Sequence, residues 1–228
     1  MGTSSARRGP TTGLWRAAKG AATRYLSPGA GGEVSAREVA ARYLAALAET
    51  PGQGKALAAF RFTRKVGQDL GALGLEVTTR GWEAVLKDRG LAQLGQGPPG
   101  MVASGVSGML AGSGGGLEEA VVRTALALVL GPAVQSMDRT EPAKLVRQFL
   151  ATAVYLRLAL DLGEPLEVAA GSYARLRDGL GRIKALIEAD AATITAASEI
   201  PETPGHWQGL AGWTWVTELM AGLLASLR

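Results

Sequence analysis

The chain has no cysteine and a single histidine, His206. Without thiols there is no thiol catalysis, no thiolate metal site and no disulfide framework. One imidazole cannot supply a multi-histidine metal centre, and a general base would have to rest on His206, beside Trp207 in a proline-rich stretch where a hydrogen-bonding surface role is expected. Aromatic residues make up 5% of the sequence and β-branched runs are few, so the periodic segments are written in alanine and leucine. Those residues favour helix, and the expected fold is all-α, a single irregular helical bundle. No apolar stretch follows Arg7 and Arg8, so no secretory signal is read and the expected compartment is the cytoplasm. Residues 91–117 carry no charge at all, but glycines and Pro98-Pro99 interrupt them too often for a membrane span.

At 228 residues the chain can bury a core without covalent staples. Its formal charge is +4, yet Arg7, Arg8, Arg16, Lys19 and Arg24 all precede the first acid, Glu33; of the 24 basic and 20 acidic residues, 19 and 20 follow. The basicity therefore belongs to the N-terminus. Residues 1–33, rich in glycine and without a sustained hydrophobic face, are expected to form a flexible basic tail. Within it Trp15 and Leu26 allow an amphipathic turn or two that docks on the body or meets a partner. Five positive charges with two aromatics are a weak nucleic-acid footprint, and no recognition motif accompanies them.

Residues 34–200 read as a helical core. Ser35 and Glu38 have the spacing of a capping box, with Val39, Tyr43, Leu44 and Leu47 behind it. A helix over about 55–75 carries Phe60, Val66, Leu70 and Leu73; Gly67 and Gly71 weaken it by roughly 1 kcal/mol each relative to alanine. Trp82, Val85 and Leu86 mark a short helix, and residues 101–111 a weak one. Two apolar helices form the centre. The first opens at Glu118 and Glu119 and is stopped by Gly131 and Pro132; the second is capped by Thr140 and lined by Leu145, Phe149, Ala153, Leu156 and Leu160. Tyr173, Leu176, Leu180, Ile183 and Ile187 then alternate three and four apart. Residues 201–228 form a linker, with Pro201 and Pro204, and a last apolar helix whose one internal charge is Glu218. A carboxylate at mid-bilayer costs roughly 2 to 3 kcal/mol or more, so a buried or subunit-contact helix is expected there and not a membrane span.

No enzymatic constellation is visible. Gly114-Gly115-Gly116 precedes a helix, but no Gly-Lys-Ser/Thr follows, and Glu118 and Glu119 occupy the positive end of the helix dipole that a phosphate would need. Those two carboxylates are adjacent on a helix and diverge, so they make no two-carboxylate site. Arg61, Arg64 and Lys65 read as a small basic patch, a solvated face or a contact for phosphate or an acidic partner. No metal ligands and no cofactor are expected.

Three segments together resemble the QatB family, the B component of Qat anti-phage defence systems of bacteria: Met1-Gly2-Thr3-Ser4-Ser5 with Gly9-Pro10, the run Gly115 to Arg123, and Phe149 through Asp161-Leu162-Gly163. The resemblance covers the tail and about the middle third. It implies an ATPase, a QueC-like enzyme and a TatD-like nuclease as companions. QueC chemistry activates a carboxy-deazaguanine with ATP and joins it to nitrogen; a defence relative that used a protein amine would attach the deazaguanine to a polypeptide N-terminus. Met1 is removed when a small residue follows, which makes the Gly2 amine the expected acceptor, with Thr3, Ser4 and Ser5 presented to the enzyme. Arg7, Arg8, Trp15, Glu118, Glu119 and Arg123 are the candidate partner contacts. A helical scaffold that bridges the other components unmodified is the alternative, and an effector that acts on membranes through the C-terminal helix and the basic tail is a third reading.

Overall fold

The computed structural model describes residues 12–27, 34–49, 56–112, 114–135 and 141–228. Among these are eleven α-helices and no strand: α1 (Gly13–Leu26), α2 (Ala36–Ala48), α3 (Arg61–Arg80), α4 (Trp82–Asp88), α5 (Pro99–Ala111), α6 (Leu117–Gln135), α7 (Pro142–Asp161), α8 (Gly163–Ala170), α9 (Tyr173–Thr193), α10 (Pro204–Gln208) and α11 (Leu210–Ser226). Short 3₁₀ turns at Ala56–Phe60 and Leu94–Gln96 complete them. The all-α expectation holds. The chain divides into two compact units, one formed by Met1–Ala59, Leu158–Leu186 and Leu227–Arg228, the other by Phe60–Arg157 and Ile187–Ser226.

In the first unit α1 is a full helix, longer than the turn or two expected. Thr12 caps it by accepting from the Trp15 amide at 3.4 Å, and Trp15, Ala18, Ala21, Ala22 and Leu26 are buried on one face. Trp15 meets Tyr43 of α2 edge-on, with ring centroids 6.0 Å apart, and the Tyr43 hydroxyl donates to Asp161 at 2.9 Å. Burial of an aromatic pair with a satisfied hydroxyl is what makes so alanine-rich a helix dock. At its other end Leu26 lies over Gly179 so closely that a Cβ there would overlap it, and the Tyr25 hydroxyl donates to the Gly179 carbonyl at 3.1 Å. Gly179, unremarked in the sequence, thus belongs to the seam of α9. Tyr173, assigned to that seam by spacing, is 77% exposed. The Ser35 hydroxyl accepts from the Glu38 amide at 3.1 Å, but the Glu38 carboxylate pairs with Arg42, so only half of the capping box forms.

The second unit is built around α3. Its Gly67, Gly71 and Gly74 face inward: a Cβ at Gly71 would overlap the Trp207 ring, one at Gly67 would stand 3.2 Å from Val216, and one at Gly74 3.3 Å from Pro142. What the sequence presents as a helix weakened by glycine is a helix whose glycines admit α10, α11 and the start of α7. Trp207 and Trp215 meet edge-on, 5.2 Å apart, and both are almost wholly buried. Gln68 donates to the Gly209 carbonyl at 2.7 Å and closes the turn between α10 and α11.

Gly131 and Pro132 do not stop α6, which continues to Gln135 with Ala133 and Val134 buried. The carbonyl that Pro132 deprives of its partner is that of Leu128, a residue 56% exposed, where water can take the place of the lost bond. Thr140 lies outside the described residues; α7 starts at Pro142, with the Glu141 carbonyl accepting from the Leu145 amide at 3.1 Å.

The last helix is buried through Trp215, Val216, Leu219, Met220, Leu223 and Leu224, which is the core side of the two alternatives the sequence leaves open. No helix among the described residues is long and apolar enough to cross a membrane. Its one carboxylate, Glu218, accepts from the Ser198 amide and hydroxyl, both at 2.8 Å, and these bonds hold its pKa below the ordinary glutamate value of 4.5. A carboxyl with a lowered folded-state pKa contributes stability that is present above its unfolded pKa and is lost as pH falls through the folded one. Stability is therefore expected to fall as pH drops below about 4.5, and Glu218→Gln to flatten that part of the pH profile in a series of thermal melts. Equal acid slopes for the two proteins would show that the Glu218 bonds do not hold in solution.

Candidate functional site

Of the residues singled out by sequence, Gly2, Thr3, Ser4, Ser5, Arg7 and Arg8 lie outside the described residues. Trp15 is 5% exposed and packed against Tyr43, which is the docking reading of that residue. Glu118, Glu119 and Arg123 come together at the start of α6.

Their arrangement follows from the orphan donors and acceptors of two chain segments. α3 begins at Arg61 with no side chain from its own N-cap position, Phe60, to take up its free amides. Glu118 supplies the acceptor from 55 residues away: its Oε1 receives the Thr63 amide at 2.9 Å and the Thr63 hydroxyl at 3.0 Å. A carboxylate there also faces the positive end of the α3 dipole. Glu119 folds back over Gly114 and Gly116, where a Cβ at either position would crowd it. Arg123, two turns into α6, reaches back with Nη1 to the carbonyls of Gly112 and Gly114, at 3.2 and 2.7 Å. The glycine-rich run is thus a loop that begins a helix, strapped by Arg123 and vacated for Glu119, and Glu118 caps α3.

Arg64, read from sequence as part of a small basic patch, is 8% exposed. Its guanidinium lies over the Trp213 ring at 4.6 Å and donates to the Thr217 hydroxyl at 3.0 Å. Burial draws its pKa down, against the opposing pull of Glu118. Lys65 is paired with Asp69 at 2.7 Å. The patch does not exist as a unit. Spacing of three and four put Arg61, Arg64 and Lys65 on nearby faces, and α11 then covered one of them. His206 is exposed on α10, where its amide donates to the Thr203 hydroxyl at 3.1 Å. No group of acidic and histidine side chains among the described residues could hold a metal ion.

A feature the sequence does not advertise is a groove of about 430 Å³ in the second unit, between α7 and α9. Lys144, Arg147 and Gln148 stand on the α7 wall and Glu188 on the α9 wall. Ala151, Ala191 and Ala192 form the floor, short side chains that leave the space open. The only trace in the sequence is the i, i+3 spacing of two cations on an otherwise apolar helix, a pattern that ordinary solvated faces share.

Fold and site together describe an all-helical protein whose most distinctive segment, Gly114 to Arg123, ties two helix starts to one another. The family model described as "Qat anti-phage system associated protein QatB" matches residues 51–199, a span that contains this segment. The chain belongs to the QatB family and is a component of the Qat anti-phage system. No curated protein and no solved structure was found to match it.

Proposed function

We propose that this Qat component is the acceptor of a nucleobase-to-protein conjugation in the cytoplasm. The α-amine of Gly2, freed when Met1 is removed, attacks the ATP-activated carboxyl carbon of a deazaguanine held by a QueC-like partner. An amide C–N bond forms, the activating group leaves, and the amine gives up a proton. The ATPase and the TatD-like nuclease of the same system are the further partners, and the helical body docks the enzyme. Membership of the QatB family carries this reading. It is supported by Gly2 itself, whose lack of a side chain suits entry into a closed active site. The first fixed point of the described chain is Thr12, the cap of α1, ten positions after Gly2. Ten residues reach at most about 35 Å when extended, enough to enter an enzyme while α1 stays docked.

The test is the intact and N-terminal peptide mass of the chain made alone and beside an active QueC-like partner. A Met-less chain gaining a deazaguanine-sized mass on Gly2 only in the second sample is the expected result, with complete loss of the adduct in Gly2→Pro or after deletion of residues 2–11. A Gly2→Pro chain modified as fully as the parent overturns the proposal. An unmodified Gly2 beside an active partner would make the chain a scaffold, which would also tolerate an N-terminal tag that the acceptor cannot.

A further inference from the structure

The groove between α7 and α9 combines three properties that solvated helix faces lack. It is a hollow of about 430 Å³, within the range of small-ligand sites. Two cations, Lys144 and Arg147, stand one turn apart on its wall, and neither has an ion-pair partner among the described residues. Finally, Arg147 is held in place: its guanidinium lies over the Trp215 ring at 6.0 Å, and its Nε is buried with no protein hydrogen-bond partner. A guanidinium partly withdrawn from water, set over an aromatic face and without an ion pair is arranged to receive an anion. Gln148 adds a neutral donor beside it. The alanine floor leaves room for the organic part of the molecule.

We propose that this groove binds a small organic anion, a carboxylate or a phosphate ester, with its charged group between Lys144 and Arg147 and its apolar part over Ala151 and Ala191. Glu188 sets the selectivity. A second negative charge on the ligand would stand nearer its carboxylate.

The experiment is calorimetric titration of the full chain with phenyl phosphate and with benzoate as probes, and with phenol as the neutral control. Saturable binding of at least one anion is expected, about tenfold or more tighter than phenol and weakened by added salt. Preference for one anion distinguishes the phosphate from the carboxylate source. Arg147→Gln is expected to weaken anion binding about tenfold or more, and Arg147→Lys to recover part of it. Lys144 is exposed, so Lys144→Gln leaves the fold intact and gives a second reading should Arg147→Gln unfold. Phenol binding as tightly as the anions, no saturable binding of either anion, or Lys144→Gln binding the preferred anion as the parent does would each overturn the proposal.

Discussion

Gly71→Ala is expected to destabilise the protein by about 2 kcal/mol or more, although alanine is the better helix former by roughly 1 kcal/mol. The added Cβ would overlap the ring of Trp207, a side chain with no measurable exposure. The ring has little room to withdraw, because it is fully buried and meets Trp215 edge-on. The cause can be isolated by changing the ring. Trp207→Ala alone should cost about 3 to 5 kcal/mol, as large aromatic truncations do, but in that background Gly71→Ala should be neutral or stabilising. Gly212 supplies the contrast. A Cβ there would strike the backbone carbonyl of Trp207, not its ring, so Gly212→Ala should be as damaging in the Trp207→Ala background as in the parent. Urea unfolding midpoints of the six chains, at constant slope, report these differences. An equal cost of Gly71→Ala with and without the indole would mean that the glycine serves something other than the approach of α10 to α3.

Glu118→Ala is the second large effect, expected at about 2 to 3 kcal/mol. Thr63 is fully buried, and removal of Glu118 leaves both its amide and its hydroxyl without an acceptor. Each buried donor left unpaired costs about 1 to 3 kcal/mol, though the two share a residue and will not add fully. Glu118→Gln keeps an acceptor oxygen and loses only the charge facing the α3 dipole, so a cost near 1 kcal/mol is expected. Thr63→Val in the parent should cost less than Glu118→Ala, since the amide keeps its partner. Hydrogen exchange at the Thr63 amide is the direct readout. Protection should drop in Glu118→Ala and persist in Glu118→Gln; a Thr63 amide as protected in Glu118→Ala as in the parent would show that the carboxylate does not cap α3.

These two sites also show where a sequence reading reaches and where it stops. The elements were legible because helix periodicity is local. Leu145, Phe149 and Ala153 of α7 and Val216, Met220 and Leu223 of α11 lie on buried faces as their spacing predicts, whereas Leu160, assigned to the same face of α7, is 50% exposed. The role of Glu118 was not legible. A carboxylate in the first turn of α6 reads as serving its own helix dipole, and nothing in the chain says that its oxygen ends on a threonine 55 residues earlier. Arg64 misled for the same reason: its neighbours in sequence, Arg61 and Lys65, are exposed or paired, whereas Thr217 and Trp213, which bury it, come from α11. Gly67 and Gly71 carried only their local meaning, a weakened helix.

By itself the sequence determined the class of fold, most of the longer helices though not the short α8 and α10, the absence of cysteine chemistry and, through Gly2, Gly115 to Arg123 and Phe149 to Gly163, the resemblance that the family match over residues 51–199 supports. Periodicity, caps and motifs are properties of neighbouring residues, and a linear text records them. The tertiary structure alone decided which glycines are contacts, which acid caps which helix, which arginine is buried and that Lys144, Arg147 and Glu188 share one groove. Each of those depends on which faces of distant helices meet, and that is settled by steric fit and the pairing of buried polar groups across the fold.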